Sequence, residues 1–468
     1  MKAIDLVILV AYFVLLIVIG FIAKKRIKTG EDQMAAGKTL SLWPASVGKA
    51  ANICGGSTTV GGGAYGYSLG ITGIWFGIGT MLMTFVFAPV AKRIKHIANK
   101  HDLLTMGDFM QYRYGRTARV IAGGLNAIAY AGFVASQIVA TGAIISVLTG
   151  WSLNMSMLVS TIVVMIYSLM GGLVAIVWTD IMQVIIIYVG MVFLATPIGV
   201  SKVGGWSHMW NALPAKMAAI GSLGTGKIVA MLISTVLASF VLQASYSYTV
   251  ACKDENTARD ANWLSGLVYI VPAFVAIVIG IVAFVMFPGL ESPNQAMGVY
   301  MVKLMPAGVS GLLLAAIIAS TMSTSSTCGM MSATCFVQDF YKEFINPTAD
   351  GKKLLSVSRI TLFVVMVVSL VIAIYFPDII GLILWGYALA VGGLLAPMLA
   401  LLFWPRATNA GALAAMIGGG VTQLYLTITA SAITPILISL PVSIVLMVIV
   451  SYLTPKTDPE KLATFYGD

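Results

Sequence analysis

The sequence predicts an all-α integral membrane protein that forms a single membrane domain over residues 1–468. Three observations support this prediction. Only 9% of the residues are charged, whereas a soluble globular chain carries about 25%. Hydrophobic residues make up 59% of the chain, and its mean hydropathy is +0.96. Finally, apolar runs of about 20 residues, the length of a helix that crosses a bilayer, recur along the whole sequence.

About thirteen such runs are long enough to be transmembrane helices, and we number the last twelve α1 to α12. The first run, 4–23, lacks a small-residue cleavage site and is followed by Lys24, Lys25 and Arg26. It is therefore predicted to be an extra N-terminal helix, not a signal peptide. The predicted bounds of α1 to α12 are 41–69, 71–91, 119–149, 155–176, 179–200, 228–250, 263–287, 305–337, 356–376, 379–404, 410–429 and 432–453.

The distribution of positive charge predicts the orientation in the membrane. With the N-terminus outside, the predicted inner segments hold 21 Lys and Arg residues and the outer segments hold 5. Since cytoplasmic loops carry an excess of Lys and Arg, we expect an outer N-terminus and a cytoplasmic C-terminus in the cell (inner) membrane. The net charge of +10 thus reflects membrane topology, and we expect a lipid membrane and no nucleic acid as partner.

A run of hydroxyl side chains is the most informative feature of α8. Residues 320–327 read STMSTSST, with seven hydroxyls in eight positions. In a helix, Ser320, Ser323, Thr324 and Thr327 share one face. Such a stripe is costly in hydrocarbon unless a polar group lies against it. A small hard cation fits, because hydroxyls and freed backbone carbonyls can replace its water shell.

The predicted helix α1 is rich in glycine, with Gly-Gly at 55–56 and Gly-Gly-Gly at 61–63. Glycine costs about 1 kcal/mol in a helix interior, so the cluster indicates either unwinding or close packing. Gly66 and Gly70 would suit a packing face of the GxxxG kind. Beside the hydroxyl stripe of α8, we favour a discontinuous helix at a binding site.

Two charged residues fall within predicted spans, Lys49 in α1 and Asp180 in α5. Intramembrane charges are costly and mark functional sites by default. An interfacial position at a helix end is the alternative for Asp180.

Four motifs carry a resemblance to a known family. They are YSLMGGLVAIVWTDIMQ at 167–183, LTMGDFMQYRYG at 104–115, AANIC at 50–54, and QDFY at 338–341 after the hydroxyl run. Over residues 2–453 the chain resembles the sodium/solute symporters. The resemblance implies a LeuT-type core of two inverted five-helix repeats, 41–200 and 228–404, with α1 and α6 broken near the midplane. The helices of 410–453 would follow this core.

The resemblance also implies where Na⁺ binds. One site would use the backbone carbonyls of Ala50, Ile53 and Ser320 with the hydroxyls of Ser323 and Thr324. A second site would use Asp180, Ser323, Ser326 and Thr327. The alternative is that Asp180 only guides sodium toward the cytoplasm after release.

Lys49 and Asn52 are candidate modulators of this region. Lys49 departs from the small or apolar residues that family members have at this position. Its ammonium could snorkel to the cytoplasmic surface. It could instead pair with Asp180 or the solute, or act as a surrogate cation.

The resemblance implies a solute site near the break in α1. Gln137 and Gln243 are the stronger candidates, because a side-chain amide in hydrocarbon needs a hydrogen-bond partner. Trp385 and Tyr387 in α10 could form a lid. The candidate solute-binding residues are Ser57, Thr58, Phe76, Thr80, Gln137, Gln243 and Tyr246.

The function predicted from the sequence is sodium-coupled symport of a small organic solute by alternating access, without enzymatic activity. Few polar residues lie in α7, chiefly Ser265 and Tyr269, which disfavours a sugar and favours an amino acid or monocarboxylate. The alternative is a proton-coupled or cation-independent transporter of the same fold in which Lys49 replaces the ion.

Overall fold

The fold was analysed in a computed structural model. It describes residues 38–168, 181–429, 431, 433–457 and 462, together with positions 4, 5, 7, 8, 11, 12 and 14 near the N-terminus. Most of the predicted N-terminal helix and most of the motif 167–183, including Asp180, lie outside the described residues.

The described chain is helical, and an isolated bridge between Leu40 and Cys252 is its only β pairing. Nine of its helices are long and apolar enough to cross a membrane, or ten if a bent pair counts as one span. The helix bounds are Leu42–Ile53 (α1a), Gly56–Leu69 (α1b), Ile74–His101 (α2), Arg116–Thr149 (α3), Leu153–Ser168 (α4, as far as described), Ile181–Lys202 (α5), Thr225–Val236 (α6a), Gln243–Ala251 (α6b), Glu255–Met286 (α7), Val309–Ile345 (α8), Gly351–Tyr375 (α9), Ile379–Phe403 (α10), Asn409–Ile428 (α11) and Ile436–Leu453 (α12).

Two predicted helices extend well beyond their apolar runs. Helix α2 continues to His101, where Asp102 adopts a left-handed conformation with φ +51° and ends it. Helix α8 continues to Ile345 through a π-helical segment that begins at Val337. In both cases the additional turns are amphipathic, so an apolar window ends before the helix does.

Helices α1 and α6 are both interrupted. In α1 the helical conformation stops at Cys54 and restarts at Gly56, and Gly55 between them is extended. In α6 the halves meet at a bend of 42°, across a 3₁₀ turn at Ala238–Phe240 and an extended Leu242. The glycine pair of α1 signals its break in the sequence, whereas the break in α6 contains neither glycine nor proline.

The helices pack in two groups. Helix α7 packs along α1a, α1b and α2, and both halves of α6 contact α2. Helix α3 packs against α4, α8, α9 and α10, and α8 also contacts α4 and α9. Because both halves of α1 touch α7 and α8, the broken helix lies where the two groups meet.

The later glycines of α1b serve close packing. A Cβ at Gly66 would collide with the Ile277 carbonyl of α7, and one at Gly280 of α7 would collide with the Gly63 carbonyl. The two interpretations of the glycine cluster therefore hold for different residues. Gly55 forms the break, and Gly63 and Gly66 let α7 approach closely.

An ion-pair cluster joins α8, α3 and a short helix, Met106–Tyr114, at the end of the bundle predicted to be cytoplasmic. The Arg119 guanidinium contacts Asp339 at 2.7 Å, Asp108 at 3.1 Å and Glu343 at 3.4 Å. Asp339 is buried, so its charge requires this partner.

We predict that Gly280→Ala lowers the unfolding temperature, because the new methyl group forces α7 away from α1b at a cost of about 1–3 kcal/mol. Gly124→Ala is the matched control, since a Cβ there meets no atom within 4 Å. Thermal unfolding of the purified protein measures both. Equal unfolding temperatures for the two variants would contradict this packing.

Candidate functional site

The hydroxyl stripe of α8 lies against the break in α1. All the side chains of residues 320–327 are buried. The Ser320 hydroxyl donates to the Cys54 carbonyl at 3.0 Å. Thr324 is so close to Gly55 that a Cβ there would lie 2.5 Å from the Thr324 Oγ1. The stripe therefore faces backbone groups of the broken helix.

The last turn of α1a presents its carbonyl oxygens at the break. The Ala50 carbonyl accepts from the Cys54 amide at 2.9 Å. The Ile53 carbonyl accepts from the Thr58 hydroxyl at 2.8 Å. A carbonyl oxygen has two lone pairs, so each of these groups can bind a cation in addition.

Further along α8, three hydroxyls are buried without a hydrogen-bond partner among the described residues, those of Ser325, Ser326 and Thr327. Unsatisfied buried hydroxyls are rare in native proteins and require an explanation. Asp180, the predicted neighbour of Ser326 and Thr327, lies outside the described residues.

A cavity of about 50 Å³ lies beside the break. Helices α1, α2, α3, α6b, α8 and α10 contribute to its walls. Tyr387 also lines it, whereas Trp385, the other predicted lid residue, does not and packs against Gly132. The predicted ion, solute or modulator residues that line it are Lys49, Asn52, Ile53, Ser57, Gln137 and Thr324.

Gln137 joins α3 to the start of α1b. Its Oε1 atom accepts from the Gly56 amide at 2.7 Å. This bond fixes the orientation of the side-chain amide, so Nε2 is the remaining donor. The Nε2 atom is buried and has no partner in the described part of the chain.

Lys49 does not reach the surface. Its side chain is 4% exposed, and Nζ donates to Asn262 Oδ1 of α7 at 2.5 Å. The ammonium also lies 5.0 Å from the centre of the Phe87 ring. The snorkelling interpretation is therefore wrong, because an acceptor from α7 lies within reach inside the protein.

The predicted residues of α6b point away from the cavity. Gln243 Oε1 accepts from the Met106 amide at 2.9 Å and so caps the helix Met106–Tyr114. The Tyr246 hydroxyl donates to the Phe240 carbonyl at 2.8 Å. Their neighbours Ser245 and Tyr248 line the cavity instead. The bend before Gln243 sets the rotation of α6b about its axis, which the sequence does not reveal.

Three more predicted residues, Thr58, Phe76 and Thr80, do not line the cavity. The Thr58 hydroxyl, whose proton goes to the Ile53 carbonyl, accepts from the Tyr269 hydroxyl of α7 at 3.1 Å. Thr80 donates to the Phe76 carbonyl one turn earlier in α2, at 2.9 Å. Met83, one turn beyond Thr80, lines the cavity in their place. Spacing along α2 could have found it, because Thr80 and Met83 differ by three positions.

The same architecture occurs in solved membrane transporters. A Na⁺-coupled sialic acid symporter in a substrate-bound outward-open state superposes with a TM-score of 0.81, at 18% identity, over 98% of this chain and 99% of that one. A nucleobase-cation-symport-1 family transporter in a closed conformation gives a TM-score of 0.62, at 14% identity, over 94% and 99%. These likenesses establish the LeuT-type fold predicted from the sequence.

Sequence comparison identifies the family of transporters to which the chain belongs. The model of the sodium:solute symporter family matches residues 34–419, so the chain belongs to this family. The osmoregulated proline transporter OpuE of Bacillus subtilis is 24% identical, over 88% of this chain and 86% of its own. The sodium/glucose cotransporter of Vibrio parahaemolyticus is 25% identical, over 90% and 85%.

Family membership confirms several predictions. The chain is a multi-pass membrane transporter and not an enzyme. Sodium is its coupling ion, and a small-molecule solute is its other ligand.

We predict that Gln243→Leu destabilises the fold by about 1–3 kcal/mol, because it leaves the buried Met106 amide without an acceptor. Ser245→Ala on the same helix removes only a cavity-lining hydroxyl and serves as the control. Thermal unfolding compares the two. An unchanged unfolding temperature for Gln243→Leu would show that the capping bond is unimportant.

Proposed function

We propose that this sodium symporter imports a small organic solute by alternating access and binds Na⁺ between α1a and α8. The ligands would be the carbonyls of Ala50, Ile53 and Ser320 and the hydroxyls of Ser323 and Thr324. The observation that carries this proposal is the contact of the hydroxyl stripe with the break in α1, through Ser320 and Gly55. Uncharged oxygen ligands of this kind suit a hard monovalent cation.

The position of this ion explains how its binding can drive solute uptake. Helix α1a belongs to the group packed on α7, and α8 belongs to the group packed on α3. An ion that binds both helices favours the arrangement in which they meet. If that arrangement also binds solute better, each ligand raises the affinity for the other. Inward sodium movement then supplies about 2.3 kcal/mol per charge per 100 mV.

We also propose a second sodium site formed by Asp180, Ser323, Ser326 and Thr327. The buried hydroxyls of Ser326 and Thr327, which have no partner among the described residues, support it. A carboxylate and hydroxyls form a hard oxygen donor set suited to Na⁺. In the alternative, Asp180 serves only as a relay for the ion that leaves the first site.

The alternative in which Lys49 replaces the ion finds no support. Its ammonium donates to Asn262 of α7 and lies over Phe87 of α2. It therefore connects helices within one packing group, whereas the proposed sodium site connects the two groups.

We predict that Thr324→Val raises the sodium concentration that gives half-maximal thermal stabilisation about tenfold or more, because the ion loses one of its buried ligands. Thr334→Val, on the same helix but outside the stripe, is the control. Sodium titration of thermal stability provides the measurement. An unchanged sodium affinity would exclude Thr324 as a ligand, and solute uptake that persists in choline would exclude sodium coupling.

We predict that Gly221→Cys is labelled from outside the cell and Lys353→Cys only after permeabilisation. Both positions are exposed, Gly221 in a segment predicted to be outside and Lys353 in the first turn of α9, which is predicted to be cytoplasmic. The four native cysteines are buried, so background labelling is low. The reverse pattern would overturn the proposed orientation.

A further inference from the structure

Three side chains that carry nitrogen donors line the cavity beside the break in α1. Lys49 and Asn52 lie one turn apart on α1a, and Gln137 reaches in from α3. The Asn52 Nδ2 and Gln137 Nε2 atoms are buried, and neither has a hydrogen-bond partner in the described chain. An ammonium group and an amide NH₂ group are hydrogen-bond donors. The cavity therefore offers several donors that call for an acceptor.

The charged groups of the cavity also favour an anion as its ligand. None of the described residues that line the cavity is acidic. The acceptor of Lys49 is the neutral amide of Asn262, which also donates to the Ala258 carbonyl at 2.8 Å. Among the described residues this buried cation contacts only neutral groups, Asn262 and the Phe87 ring, and an anion beside it would offset the cost of burying its charge.

Bound sodium would strengthen the need for an anion in the cavity. Lys49 directly precedes Ala50, one of the proposed sodium ligands, so two positive charges would be held by the same end of α1a. Like charges in a medium of low dielectric constant repel strongly, and a negative charge between them turns repulsion into attraction.

We propose that the transported solute is a small carboxylate without a charged amine, and that Lys49, Asn52 and Gln137 bind its carboxylate. This inference rests on the proposed sodium symport and names its substrate class. An amino acid fits less well, because its ammonium would meet Lys49 and no acidic side chain among the described lining residues. The cavity of about 50 Å³ has room for a small polar group or a few waters.

The proposal assigns a second role to the carboxylate. By placing a negative charge beside the proposed ion site, it would increase sodium affinity, and sodium would increase solute affinity by the same factor. A neutral solute would lack this electrostatic part of the coupling.

The test uses the purified full-length protein and three probes with one carbon skeleton. Propionate carries the carboxylate alone, propionamide replaces it with a neutral amide, and L-alanine adds an ammonium. We expect propionate to raise the unfolding temperature in sodium and to bind more weakly in choline. Propionamide and L-alanine should have no effect. Stabilisation by either of these two, or by none of the three, overturns the proposal.

Variants of Lys49 identify its role. Lys49→Met should weaken propionate binding at least about 30-fold, while Lys49→Arg retains a measurable part of it. Lys95→Met is the matched control, because Lys95 is also buried but donates to the Val250 carbonyl, at 2.7 Å, and does not line the cavity. Stabilisation by sodium alone verifies that each variant is folded.

The outcomes separate this inference from the proposed function. Sodium-dependent propionate binding that is unchanged in Lys49→Met overturns the role of Lys49 and leaves sodium symport intact. Propionate binding that is equal in sodium and choline contradicts the proposed symport itself. Sodium dependence that arises only in Lys49→Met would show that the lysine acts as the ion's substitute, and so overturns both.

Discussion

The structure depends on how the interrupted backbone of α1 is satisfied inside the membrane. Where the helix stops, carbonyl and amide groups lose their helical partners, and hydrocarbon offers no replacement. Three side chains provide hydrogen-bond partners for these backbone groups. Ser320 of α8 donates to Cys54, Thr58 donates to Ile53, and Gln137 of α3 accepts from Gly56. Polar residues of three helices therefore converge on one point because the backbone there requires them.

Composition and local pattern were sufficient to predict a helical membrane protein, and the LeuT-type arrangement of its helices was predicted from the family resemblance. Apolar length predicted the helices, and the stripe at 320–327 predicted a polar contact that the structure places against α1. The orientation of α6b could not be predicted, because a bend without glycine or proline rotates Gln243 away and brings Ser245 inward. The partner of Lys49 was equally hidden, since Asn262 lies 213 residues away and only packing brings it near.

The cavity and the hydroxyl stripe share one residue. Thr324 lies against the break in α1 and also lines the cavity. An ion at its hydroxyl and a solute in the cavity would thus be neighbours, without a long chain of intervening groups. Coupling over such a short distance needs no propagated rearrangement, since direct electrostatics and one shared side chain suffice.

The cap on the helix Met106–Tyr114 has a mechanical consequence. Arg119 ties Asp108 of this helix to Asp339 of α8, so the segment is fastened to the group built around α3. Its first amide, however, is bonded to Gln243 of α6b, in the other group. A tilt of α6b relative to α8 would stretch that bond if the segment stayed fixed to α8. The amides of Gln243 and Ala244 also donate to Asn126 and Tyr130 of α3, so the start of α6b is joined to that group at several points that would have to change together.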